Sequence, residues 1–99
     1  MNIDQPGVKK GAAKASKLLK TLSNQDRLLI LCQLVGNERS AGELWKKSTL
    51  SQSAFSQHLA VLRRNKIVMT RKDAHNVYYS LTDDHAVRVL ELMYELFCS

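Results

Sequence analysis

Apolar positions fall into two rhythms along this chain. Over residues 8–22, Ala12, Ala15, Leu18, Leu19 and Leu22 recur at helical spacing. "SNQD" at 23–26 reads as a capping-box variant, with Ser23 as N-cap and Asp26 three residues on. It opens a second helix, "QDRLLILCQLV", which ends near Gly36 and is apolar around most of its circumference, as a helix central to the core would be. "SAGELWKK" gives a short third helix. "STLS" is a turn in which Ser51 is a natural N-cap for a fourth helix, "SQSAFSQHLAVLRR", at 51–64. Then the rhythm changes. "KIVMTRKDAHNVYYSLT" is β-branched and aromatic on both sides of a polar break, and Val77, Tyr79 and Leu81 alternate with Tyr78 and Ser80, which predicts a β-hairpin. A last helix, 83–98, carries Ala86, Val89, Leu90, Met93, Leu96 and Phe97 on one stripe. The fold class is mainly α with a β-hairpin wing: four helices, two strands and a fifth helix. Residues 1–7 read as a flexible tail and 8–99 as one domain.

Charge sharpens this picture. The net charge is +6, but from Trp45 to Lys72 seven basic residues stand with no Asp or Glu, whereas from Asp83 to Ser99 four acids face a single arginine. Such a polarised chain suits a polyanion held by its middle segment. No run approaches the roughly 20 apolar residues that span a bilayer, and the lysine-bearing N-terminus lacks the apolar stretch of a signal peptide. A cytoplasmic protein with no membrane partner is expected. No Cys-x-x-Cys, Gly-rich phosphate loop or paired acid/base motif points to an enzyme, and no cofactor is expected.

The third and fourth helices, joined by a tight turn, form a helix-turn-helix candidate. On the fourth, Phe55, Leu59 and Leu62 make the apolar stripe, leaving Gln52, Ser53, Ser56 and Gln57 on the exposed N-terminal face. Gln pairs bidentately with an adenine edge, Ser bonds to most bases, and recognition helices present their N-terminal residues to the major groove. Arg63 and Arg64 at the other end suit backbone phosphates, which position without specifying. The hairpin tip offers Arg71, Lys72, His75 and Asn76, as a wing would. The whole reads as a winged helix-turn-helix.

"LSNQDRLLILCQL", "SAGEL", "LSQSAFSQHLAVLRRNKIV" and "VYYSL" together resemble the ArsR/SmtB family of bacterial winged-helix repressors, over about residues 12–98. The resemblance implies a homodimer on a double-stranded DNA operator with two-fold symmetry. The four Ser and Gln residues would then read bases, the 71–76 tip would touch flanking DNA, and the first and last helices would pair. Leu18, Leu90, Met93, Leu96 and Phe97 are the expected interface. Many members bind metal, but no metal is expected here. Ser40 and Gly42 stand where one family site has Cys-x-Cys. Asp83 and His85 match only half of another, whose later positions fall on Leu96 and Ser99. Asp83 is better read as a helix cap, His85 as an exposed first-turn residue, and His58 as a packed helix residue.

The chain has two cysteines. Cys32 lies mid-helix in an apolar stretch expected in the core, and Cys98 is penultimate. As packing residues they would be inert. Their placement, however, resembles the thiol-sensing branch of the family, which implies that Cys32 and Cys98 are a redox switch whose oxidation or persulfidation weakens DNA binding. The alternative is a winged-helix regulator with inert cysteines, acting constitutively or by displacing a silencing protein.

Overall fold

The computed structural model describes residues 2–98. Met1, the first residue of the expected tail, and Ser99, the last of the expected domain, lie outside the described residues. Turns over residues 2–7 lead into α1 (Val8–Leu22), followed by α2 (Gln25–Leu34), β1 (Arg39–Ser40), α3 (Ala41–Lys46), α4 (Gln52–Arg64), β2 (Val68–Asp73), β3 (Asn76–Leu81) and α5 (Asp84–Phe97). The order of helices and hairpin is the expected one. β1 is the addition: its two residues pair antiparallel with β3, Arg39 opposite Tyr79 and Ser40 opposite Tyr78, making a three-stranded sheet ordered β1-β3-β2. So short an edge strand has no alternation to betray it.

Side-chain caps fix where the helices begin. Asn24, not Ser23, caps α2: its Oδ1 accepts from the N–H groups of Asp26 and Arg27 at 3.0 and 3.1 Å, while Ser23 closes α1. Ser40 and Glu43 form a reciprocal capping box at α3. Ser51 Oγ accepts from the Ala54 N–H at 3.2 Å at the start of α4. The exit from α4 is a Schellman motif. Ile67 N–H bonds to the Leu62 carbonyl and Lys66 N–H to that of Arg63, both at 3.0 Å, with Lys66 in the left-handed region (φ 59°). That turn swings the chain directly from the end of α4 into β2.

One apolar cluster joins α2, α3, α4, α5 and the base of the hairpin, with Leu31, Leu34, Leu44, Leu62, Val68 and Leu90 fully enclosed. Trp45 of α3 meets Phe55 of α4 edge-on, ring centroids 5.2 Å apart, which joins the two helices of the pair. Leu62→Ala should lower the unfolding free energy by about 2–5 kcal/mol in a denaturant melt, because this centre cannot collapse around the cavity. Helix α1 is different. From Lys9 to Lys20 only Leu18 is even half-buried, and α1 enters the core through Thr21 and Leu22 at its end. A helix with this much exposed length needs another surface to pack on.

Candidate nucleic-acid interface and thiol pair

On α4 the inward stripe of Phe55, Leu59 and Leu62 is buried, which turns Gln52, Ser53, Ser56 and Gln57 outward. All four are exposed, and among the described residues their side chains make no hydrogen bond within the protein, so their donors and acceptors are open to a ligand. Arg63 and Arg64 are exposed at the other end of the helix, about 18 Å further along its axis at 1.5 Å per residue. With Ser56, Ala60 and Tyr79 they edge an open trough of about 500 Å³ between α4 and the sheet. Neutral hydrogen-bonding groups thus sit at one end of an exposed helix and fixed charge at the other.

The wing carries Lys72, His75 and Asn76 exposed around a tight turn at Ala74, whose φ is 54°. Arg71 behaves otherwise. Its Nε and Nη2 donate to the two carboxylate oxygens of Glu38 at 2.9 and 2.7 Å, and its guanidinium lies over the Tyr78 ring, 4.4 Å from the centroid. The bonds from Arg71 hold the Glu38 carboxyl below the usual range and, reciprocally, raise Arg71 further. Arg71, expected at the DNA with its neighbours, is therefore already paired. Glu38 and Tyr78 were not among the expected site residues. No spacing in the chain announces a contact across 33 positions.

Cys32 departs from expectation in the same way. Its neighbours Leu31 and Leu34 are enclosed, but each helical residue turns the side chain by about 100°, and Cys32 is exposed, as is Cys98. Cys32 borders a groove of about 420 Å³ between α2 and α5, lined by Val35, Leu90, Glu91 and Tyr94. Its thiol pKa is raised, first by desolvation in that apolar setting and then by the charge of Cys98. The C-terminal turn that carries Cys98 is held by its N–H bond to the Tyr94 carbonyl at 2.8 Å.

Of the expected interface residues, Leu96 and Phe97 are 65% and 80% exposed. Leu18 and Met93 are half-buried against the chain's own core. Leu90, at 1% exposure, faces inward and supports α5 from beneath. Leu19 and Leu92, both more than half exposed, extend the apolar surface and were missed. Leu92 stands four residues before Leu96, and that spacing was the available signal.

The residues weighed as metal ligands have other roles. Asp83 caps α5, its Oδ1 accepting from the Ala86 N–H at 2.9 Å. His85 is exposed in the first turn of that helix. His58 Nδ1 lies 3.4 Å from Arg27 Nη1, and Arg27 Nε donates to the Thr21 carbonyl at 2.6 Å, which ties α4 to α2 and to the end of α1. Among the described residues no group of three His, Cys, Asp or Glu side chains is placed to hold a metal. Among the described residues no helix is long and apolar enough to cross a membrane.

A helix pair fixed by an aromatic contact, an exposed polar second helix and a following hairpin define a winged helix-turn-helix, the architecture of a DNA-binding protein. The family described as bacterial regulatory protein, arsR family, matches residues 24–69, from the cap of α2 into the wing. The transcriptional activator HlyU of Vibrio cholerae is 48% identical over 98 residues, 99% of this chain and 89% of the relative. The biofilm growth-associated repressor of Agrobacterium fabrum is 41% identical over 97 residues, 98% of this chain and 83% of that one. Among solved structures, reduced HlyU from Vibrio cholerae superposes with a TM-score of 0.89 at 47% identity, covering 96% of this chain and all (100%) of the other. The repressor BigR from Xylella fastidiosa gives 0.85 at 40% identity, covering 92% and 93%. The chain belongs to the ArsR family. It is a DNA-binding transcription regulator, not an enzyme.

Proposed function

We propose that this regulator works as a homodimer on an operator with two-fold symmetry, and that joining Cys32 to Cys98 weakens its grip. Gln52, Ser53, Ser56 and Gln57 read base edges in each half-site. Arg63, Arg64 and Lys72 meet phosphates, and His75 and Asn76 reach flanking DNA. The observation that carries the thiol reading is the pair itself: two exposed cysteines, one on α2 beside the groove against α5 and one at the C-terminal end of α5, with the charge of Cys98 among the causes that raise the Cys32 thiol. Exposure also counts against the inert alternative, since a cysteine kept for packing is normally enclosed.

The chemistry follows from the two settings. Cys32 is held as a thiol more firmly than an ordinary cysteine, so Cys98 attacks first. Its thiolate displaces one thiolate from a disulfide or polysulfide donor and leaves a mixed disulfide. Cys32, deprotonated in turn, displaces the second. Two protein thiols are oxidised and the donor is reduced, and a sulfur atom left between them gives the bridged form. Either bridge pins the end of α5 to α2. The exposed apolar stripe of α5 is the surface offered to a second copy, so pinning that end alters the separation of the two α4 helices. Half-sites are spaced by the duplex pitch, and a changed separation costs both at once.

The DNA half of the reading has its own test. Gln52→Ala or Gln57→Ala should weaken operator binding by about 1–3 kcal/mol and relax preference at one position per half-site. Arg64→Ala should weaken all sequences alike and flatten the salt dependence by roughly one unit of slope. Binding titrations on an operator and its single-base variants separate the two. Unchanged base preference in both Gln variants would show that α4 is not the reading helix.

A further inference from the structure

Arg71 is the one basic side chain of the wing that the structure uses internally, and its contacts span the whole sheet. Tyr78 in the central strand faces Arg71 of β2 on one side and Ser40 of β1 on the other. The Arg71 guanidinium lies across that ring and reaches Glu38, just before β1, through two parallel bonds. β1 contributes only two residues to the ladder, so by backbone pairing alone it is a weak edge. Yet β1 runs without a break into α3, through the Ser40 capping box that starts the helix-turn-helix. The first residue of β1, Arg39, donates from Nε to the Gln33 carbonyl near the end of α2 at 3.4 Å. What grips Glu38 therefore grips the base of the helix-turn-helix.

We propose that Arg71 and Glu38 are positioning residues: the Arg71–Tyr78–Glu38 clasp fixes the pose of the wing against the helix-turn-helix, and Arg71 is not itself a phosphate contact. The wing is a two-stranded projection, and without a cross-sheet tie it pivots about its base. Its tip residues, Lys72, His75 and Asn76, meet DNA only if that pivot is held while α4 is seated. A carboxylate at Glu38 would be a poor choice beside a polyanion if Arg71 were meant for phosphate, because it neutralises the charge DNA would seek. As the anchor of a fork-shaped pair it is well chosen, since two parallel bonds fix orientation as well as distance. The inference rests on the reading that the wing tip touches DNA.

The two roles predict opposite signs at Glu38, which makes the test direct. Operator affinity and its dependence on salt are measured for the full chain carrying Glu38→Gln, Arg71→Gln, both together, Arg71→Lys, or Lys72→Ala as the tip control. All sit on exposed positions, and unchanged circular dichroism checks the fold. Glu38→Gln adds a net positive charge, yet the clasp predicts that it weakens operator binding, by about two- to fivefold for a surface pair of this kind. Arg71→Gln should weaken it to a similar degree, the double variant no further than either single one, and Arg71→Lys by less. The wing amide resonances of residues 72–76 should shift in Glu38→Gln without DNA present. Lys72→Ala should weaken binding and lower the salt slope by roughly 0.9. Tighter binding by Glu38→Gln, with a slope in Arg71→Gln lowered as in Lys72→Ala, overturns the proposal and makes Arg71 a phosphate contact. Loss in Lys72→Ala with no effect from any clasp variant also overturns it, while leaving the wing on DNA. No effect from Lys72→Ala or the clasp variants removes the wing from DNA and the proposal with it.

Discussion

Leu96→Glu should convert the protein to monomers and reduce operator affinity by about 10²- to 10⁴-fold, the advantage lost when two linked half-sites no longer bind as a unit. Leu92 and Leu96 lie one turn apart on α5, 54% and 65% exposed, and Phe97 beside them is 80% exposed. Helix α1, with Leu19 exposed, lies almost wholly outside the chain's own core. Apolar surface of this extent on so small a chain marks an interaction site. A second copy covers it most economically, because each copy then buries the same stripe. A carboxylate at position 96 would appear twice in that interface with no partner, and unpaired buried charge is among the most expensive changes available. The exposed position matters for the test. Met93 packs partly on its own core, so a charge there would disturb the subunit as well as the pairing, whereas Leu96 leaves the monomer intact. Sedimentation and anisotropy titration check both halves of the expectation. A Leu96→Glu protein that stays dimeric and binds as before would move the interface elsewhere.

Cys32→Ser and Cys98→Ser should each bind the operator normally when reduced and ignore a polysulfide or disulfide donor that lowers wild-type affinity about tenfold or more, the scale of a switching free energy of 1–3 kcal/mol. Neither side chain is enclosed, so serine leaves the core unchanged. The two variants should differ in chemistry. With Cys98 intact and Cys32 replaced, the donor still adds to Cys98 but the bridge cannot close. With Cys98 replaced, modification slows, because the remaining thiol has the raised pKa. For the same reason, closure of the bridge by Cys32, followed after the donor has been loaded on Cys98, should keep accelerating with pH beyond the range where an ordinary thiol levels off. Mass spectrometry of the oxidised wild type should find the peptides of Cys32 and Cys98 joined within one chain.

Much of this was legible along the sequence, and the parts that were not share a cause. The rhythm of Phe55, Leu59 and Leu62 placed α4 and exposed its Ser and Gln residues correctly, because a helix's two faces are fixed by spacing alone. The alternation from Val77 to Leu81 gave the hairpin for the same reason. Cys32 was misplaced because an apolar run such as "LLILCQL" hides which residue turns outward; the answer depends on what packs against α2 from elsewhere. Leu90, buried, and Leu96, exposed, share one apolar stripe of α5 in the sequence, and spacing cannot separate two adjoining faces of one helix. The cap moved from Ser23 to Asn24 because both residue types cap well and the end of α1 decided between them. The Arg71–Glu38 pair, and the strand that brings it about, arise from tertiary contact and leave no local trace.

The central claim is that the thiol pair governs the grip on DNA. The most direct measurement is the operator affinity of one preparation in its reduced form and after oxidation by a polysulfide donor, with both thiols shown by mass to be joined within the chain. The account predicts tight binding when reduced, about tenfold or weaker binding when bridged, and full recovery on adding a thiol reductant. A bridged protein that holds its operator as tightly as the reduced one would contradict it.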